Sequence, residues 1–215
     1  MDPAWKDSLG WLAAAMLVVG TVLGLRLWMS RLRGRLARLA ERRGGRLVAD
    51  GAFVIPRVEW SLGDGLLQAT VHQEASLPDG REGLCSAVHV TGARIPRFEL
   101  ELRRAERLRG EWQVPPTRDA AFAQAFRMRT DDEAHASALL DAELRRELLA
   151  FDPALDIALR LGTVSAYRDG VRRRDLSEPR LEVSLRGVPA DTALLERLVT
   201  LARSVYERCA ARRAA

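Results

Sequence analysis

The sequence predicts an α+β protein: a single N-terminal transmembrane helix, then a mainly antiparallel sheet covered by helices and closed by a long amphipathic helix. Three observations carry that prediction. One is the apolar run that begins at Leu9, stays free of charge to Leu25 and continues past Arg26 to Met29. Another is a series of short alternating segments separated by hairpin-type turns instead of crossover helices. The last is a 3.6-residue stripe between Asp191 and Arg212.

Residues 9–29 span roughly 30 Å as a helix, about the thickness of a hydrocarbon core. Trp11 and Trp28 stand near its two ends, where interfacial aromatic belts lie. Trp5 adds an anchor on the outer side. The leader, residues 1–8, holds one lysine against two aspartates and lacks the basic start and small-residue cleavage site of a signal peptide. Residues 26–46 hold eight arginines against one glutamate. Basic residues close to a span stay cytoplasmic, which places the short N-terminus outside the cell and the chain after Met29 inside. The lipid-facing cations on this reading are Arg26, Arg31, Arg33, Arg35, Arg38, Arg42 and Arg43, opposite anionic headgroups.

The formal charge of +5 therefore belongs to this connector, and residues 47–213 are close to neutral. A neutral domain lacks the basic footprint of nucleic-acid binding, so no nucleic-acid partner is expected. Lys6 is the only lysine, which excludes lysine-dependent catalysis in the domain. Cys85 and Cys209 are far apart and in no metal-ligand spacing, as suits free thiols in a reducing compartment.

The connector, residues 30–46, repeats Leu32, Leu36 and Leu39 at helical spacing, continuing a line from Leu25 and Met29. The expectation is a helix leaving the bilayer with this stripe on lipid or on a partner helix, ended by Gly44-Gly45. Phe53–Trp60 and Leu66–Gln73 read as strands around the turn Gly63-Asp64-Gly65. Pro78-Asp79-Gly80 marks the next turn, and Leu84–Thr91 the next strand. Arg97–Arg103 alternates with Phe98, Leu100 and Leu102 inward and glutamates outward. Gln124–Thr130 reads as a strand, followed by a helical stretch over 131–150 that Asp131 or Asp132 caps and Asp141 restarts. Asp156–Tyr167 and Val171–Arg174 form a hairpin around Asp169-Gly170, and Leu181–Leu185 is the last strand before the C-terminal helix.

Within Arg118–Phe151, residues Phe122, Phe126, Asp131, Asp132, Ala136, Leu139 and Leu140, continued by Leu144 and Leu148, follow a pattern of strand, acidic cap and Leu-Leu pair. This stretch resembles bacterial membrane-anchored proteins containing a domain of unknown function. The resemblance implies an inner-membrane protein and supplies no catalytic residues.

Chemistry is sparse. Cys85 and His89 share a strand face four positions apart, roughly 13 Å, too far for a nucleophile and its base. His72 and His89 are the pair a metal would use if they were cross-strand neighbours, but without further ligands no metal is expected. Arg172-Arg173-Arg174 reads as a solvated hairpin arm, Asp131-Asp132 as a cap, and Trp60 and Trp112 as core or interface. No nucleotide, hydrolase or zinc-protease motif appears, and no catalytic residue or cofactor is expected. The functional expectation is a domain that binds or scaffolds a protein partner or anionic lipid at the membrane. The alternative is an enzyme with an unrecognised active site.

Gly20 and Gly24 form a GxxxG pair that lets two helices approach closely, so the span is also read as a homodimer contact. A Gly20→Ile, Gly24→Ile variant is expected to run as a smaller species than the parent in detergent by light scattering. Unchanged size would remove the helix from any dimer interface.

Overall fold

The computed structural model describes residues 4–51, 54–74, 83–108, 111–162, 167–168, 171–172, 179–189 and 191–213. It begins with one uninterrupted helix, α1 (Ala4–Arg43), roughly 60 Å long. The helix stops where the glycine pair dictates. Gly44 takes φ 65°, and the Gly45 amide donates to the Ala40 carbonyl at 2.9 Å, a Schellman-type end. A side chain at position 45 would collide with Trp60 and Val58 at 2.6 Å, so the chain can turn there only on glycine.

Among the described residues eight strands form one sheet: β1 (Arg46–Val48), β2 (Arg57–Leu62), β3 (Gly65–Glu74), β4 (Gly83–Gly92), β5 (Leu100–Arg104), β6 (Phe126–Thr130), β7 (Ile157–Gly162) and β10 (Arg180–Arg186). Their order is β1-β2-β3-β4-β10-β7-β5-β6, with every pairing antiparallel. A separate small hairpin joins β8 (Tyr167–Arg168) and β9 (Val171–Arg172). The predicted turns at 78–80 and 169–170, and Arg173-Arg174, lie outside the described residues.

One face of the sheet is the core. In register across it run Leu47, Val58, Ala69, Val88, Val183, Leu159, Leu102 and Met128. Packed on this face are α5 (Thr192–Arg213), the C-terminal half of α1, and the short helices α2 (Ala120–Ala125), α3 (Glu133–Leu139) and α4 (Ala142–Leu149). Asp132 and Asp141 cap α3 and α4 through the amides of His135 (3.0 Å) and Leu144 (2.8 Å). Asp131 instead accepts from the Glu99 amide at 2.6 Å and ties the entry of α3 to β5.

Three expectations need correction. The leucine stripe of the connector is not on lipid: Leu32, Leu36 and Leu39 are at most 1 % exposed inside the core cluster. An amphipathic stripe is blind to which apolar phase it meets, and the sheet offered one. The strand expected over Gln124–Thr130 begins only at Phe126, because Asp119 accepts from the Phe122 amide (3.1 Å) and starts a short helix first. In β5 the glutamate does face away from Leu100 and Leu102, but Glu101 is 9 % exposed, held by Arg103 and Arg160.

Because Leu39 is fully enclosed, Leu39→Ala is expected to lower the stability of the domain by about 2–5 kcal/mol in denaturant titration of the full chain. A change below about 0.5 kcal/mol, usual for a surface position, would place this stretch outside the core.

Candidate binding face

The opposite sheet face carries the polar chemistry. Its central row, in register across all eight strands, is Arg46, Glu59, Gln68, His89, Glu182, Arg160, Glu101 and Arg129. Antiparallel register brings such residues side by side on one face, where opposite charges stabilise each other. Glu59 is held by three donors, Arg46 Nη2 (2.8 Å), Arg57 Nε (2.8 Å) and Gln68 Nε2 (3.0 Å). Arg160 bridges two strands, reaching Glu182 at 2.8 Å and Glu101 at 3.0 Å. His89 lies 3.4 Å from the other oxygen of Glu182. At the far edge Arg129 stacks on Trp112, 4.3 Å from the ring centroid, and donates to the Glu111 carbonyl.

The adjacent row on the same face reads Val48, Arg57, Thr70, Ala87, Ser184, Ala158, Arg103 and Arg127. Its middle is made of small residues, and Ala87, Ser184 and Ala158 are all buried. The face is thus a floor of small side chains beside a ridge of paired charges. Six arginines stand in these two rows against three glutamates, which gives the face a positive excess.

The Glu59 carboxylate is a fixed charge and not a proton carrier. Hydrogen bonds from Arg46 and then Arg57 lower the Glu59 pKa to about 2, far from the range a general acid or base needs at neutral pH. Arg127 donates to the carbonyls of Ala123 (2.7 Å) and Phe126 (2.8 Å), so it closes the α2–β6 junction. His89 on β4 is separated from Arg127 and Arg129 on β6 by the three strands β10, β7 and β5. His72 and His89 are not cross-strand neighbours: His72 lies opposite Cys85 and His89 opposite Gln68, four positions away. Among the described residues no three His, Cys, Asp or Glu gather as metal ligands.

A second feature sits at the end of the sheet away from the apolar half of α1. There the β2–β3 turn, the β4–β5 loop, α3 and the end of α5 enclose a cleft of about 930 Å³, lined in part by Asp64, Arg94, Phe98, His135 and Cys209. Asp64 accepts from the Tyr206 hydroxyl (2.9 Å) and pairs with Arg94 (3.1 Å). The Tyr206 hydrogen bond lowers the Asp64 pKa, while burial and that same carboxylate raise the tyrosine. His135 is committed to Asp132 at 2.6 Å, and Cys209 is buried in the wall.

The residues read from sequence as membrane-facing fall into two groups. Trp11 is 78 % exposed, and no atom beyond the helix lies within 4 Å of a side chain placed at Gly20 or Gly24. Trp28 packs against the core. Arg33 and Arg35 donate to the carbonyls of Gly51 (2.7 Å) and Pro189 (3.0 Å), and Arg42 and Arg43 reach Glu196. Arg31 and Arg38 are exposed. Arg172 is in the small hairpin, and Trp60 is a core residue whose indole donates to the Arg43 carbonyl.

Fold and site together define a long, half-apolar helix feeding an eight-stranded α+β domain with one polar sheet face. No protein-family model matches the chain, and no curated protein matches it. Among solved structures it aligns with the crystal structure of the mycobacterial trehalose monomycolate transport factor A, TtfA, at 8 % identity and a TM-score of 0.49, over 82 % of this chain and 93 % of that one. Likeness at that level carries no functional argument.

The three donors on Glu59 have a measurable consequence. Its folded pKa lies below the ordinary value of 4.5, so the stabilisation is full above pH 4.5 and is lost as pH falls toward about 2. Between those limits wild-type stability is expected to fall more steeply than that of Glu59→Gln. Parallel curves would show that the carboxylate is not held by Arg46 and Arg57.

Proposed function

We propose that this chain is a single-pass protein of the bacterial inner membrane, N-terminus outside, whose cytoplasmic domain is a binding or scaffolding module for a protein partner. The observation that carries the reading is the uncovered half of α1. Trp11, Met16, Leu17 and Leu27 are 78, 68, 73 and 62 % exposed on one helix, an apolar cylinder far larger than soluble proteins leave in water. The span is long and apolar enough to cross a membrane, and the arginines after it favour the N-out orientation. The resemblance of Arg118–Phe151 to bacterial membrane-anchored proteins supports the setting.

The polar sheet face supports the binding role. Its charges are pre-paired, so it recognises by electrostatic complementarity. Its positive excess suits an acidic protein surface. An enzyme is the competing reading, and the cleft of Asp64, His135 and Cys209 is where its chemistry would sit.

The protein is expected to stay in the membrane pellet after alkaline carbonate extraction. Leu66→Cys, with Cys85→Ser and Cys209→Ser, is expected to react with an impermeant maleimide only after the inner membrane is opened. Labelling in cells with an intact inner membrane would reverse the orientation. Photocrosslinkers at Arg46 and Arg129 are expected to capture one common protein that a probe at Arg203, on the helical side, does not. Equal capture from all three sites would remove the sheet face as the docking surface.

A further inference from the structure

We propose that the rim of the domain nearest the apolar half of α1 is a second membrane contact, seated on the bilayer that the helix crosses. This rests on the anchor reading above. Helix α1 passes from span to core without a break. Met29, the last residue of the apolar run, is 4 % exposed, and Trp28 packs on the core. Protein therefore covers one face of the helix at the level where the hydrocarbon ends.

Two hydrogen bonds identify the segments that lie there. Arg33 donates to the Gly51 carbonyl and Arg35 to that of Pro189. These arginines stand roughly 6 and 9 Å beyond Met29 along the axis. Each headgroup layer is about 5–8 Å thick, so the two carbonyls are held at its outer edge or within it. Val54 lies against Gly51, and the Leu84 carbonyl accepts from Gly187, two residues before Pro189. The rim around α1 at this depth thus presents Val54, Ile55 and Leu84.

Those three side chains are 44, 37 and 39 % exposed. Beyond α1, the other large apolar side chains this exposed among the described residues are Leu66, at the opposite end of the sheet, and Val114. Three of these five side chains lie on the one edge that the anchor presses toward lipid. Arg31, exposed two residues before Arg33, supplies the cation that an anionic headgroup takes. Valine, isoleucine and leucine beside arginine is the composition of an interfacial contact. With both helix and rim engaged, the domain has one tilt, and the polar sheet face keeps a fixed angle to the membrane.

The test uses the full chain, with Cys85→Ser and Cys209→Ser, in vesicles of phosphatidylethanolamine and phosphatidylglycerol. An environment-sensitive fluorophore is placed at Val54→Cys, Leu84→Cys or Leu66→Cys. Positions 54 and 84 are expected to emit at shorter wavelength and lose fluorescence to spin-labelled lipid, while position 66 remains water-like. Water-like emission at all three, in protein that resists carbonate extraction, would overturn the rim contact and leave the anchor standing. Extraction by carbonate would overturn both. The unsubstituted chain gives an independent reading in vesicles containing photoactivatable phosphatidylglycerol. Lipid adducts on residues 54–55 or 84 support the contact, and adducts confined to α1 contradict it.

Discussion

The structure depends on the continuity of α1. Its backbone hydrogen-bond ladder runs through Met29 to Leu32 without a glycine, a proline or a change of phase. One side of that junction is an uncovered apolar cylinder, and the other is a core helix whose leucines are enclosed by the sheet and α5. Burying a leucine is worth about 1.5–3 kcal/mol, so three of them form a large part of a stability of about 5–15 kcal/mol. The apolar stretch and the fold therefore share one element. No flexible linker separates the two, because the first core residues directly follow the apolar run in one helix.

The two sheet faces divide the remaining work. The helical side holds the apolar rows and gains its stability from burial. The other side holds charges that would be costly if left alone, and antiparallel register gives each a partner. Arg160 shows the economy of this arrangement: one guanidinium spans from β10 to β5 and pairs with two glutamates. The network holds Glu59 well below the ordinary carboxylate range, which separates that residue from catalytic carboxylates, whose task requires exchanging protons. What it offers is a patterned, rigid surface.

Much of this fold is legible in local sequence patterns. The apolar run, the stripe of α5, the Gly63-Asp64-Gly65 turn and the caps at Asp132 and Asp141 are all short-range signals, and each became the expected element. Position in space was harder to read. The leucines at 32, 36 and 39 announce a helix with one apolar face, but nothing nearby in the chain says whether lipid or protein covers it. Register is equally non-local. Glu59, Gln68, Glu101, Arg160 and Glu182 are visible one by one as outward polar residues on alternating strands, yet their alignment into one row needs the order β4-β10-β7-β5, which joins strands far apart in sequence. The condition set for His72 and His89 turned on register as well, and the β3–β4 pairing places them four positions apart. Asp119, three residues before Phe122, was the signal that could have found α2.

Amide hydrogen exchange across residues 26–40 of the full chain in lipid bilayers tests the shared helix most directly. A single rigid helix gives uninterrupted protection from the span through Leu39, with the amides of Met29 to Leu32 exchanging as slowly as those of Leu36. Fast exchange confined to residues 29–32, between two protected segments, would reveal a hinge and contradict the coupling of anchor to core.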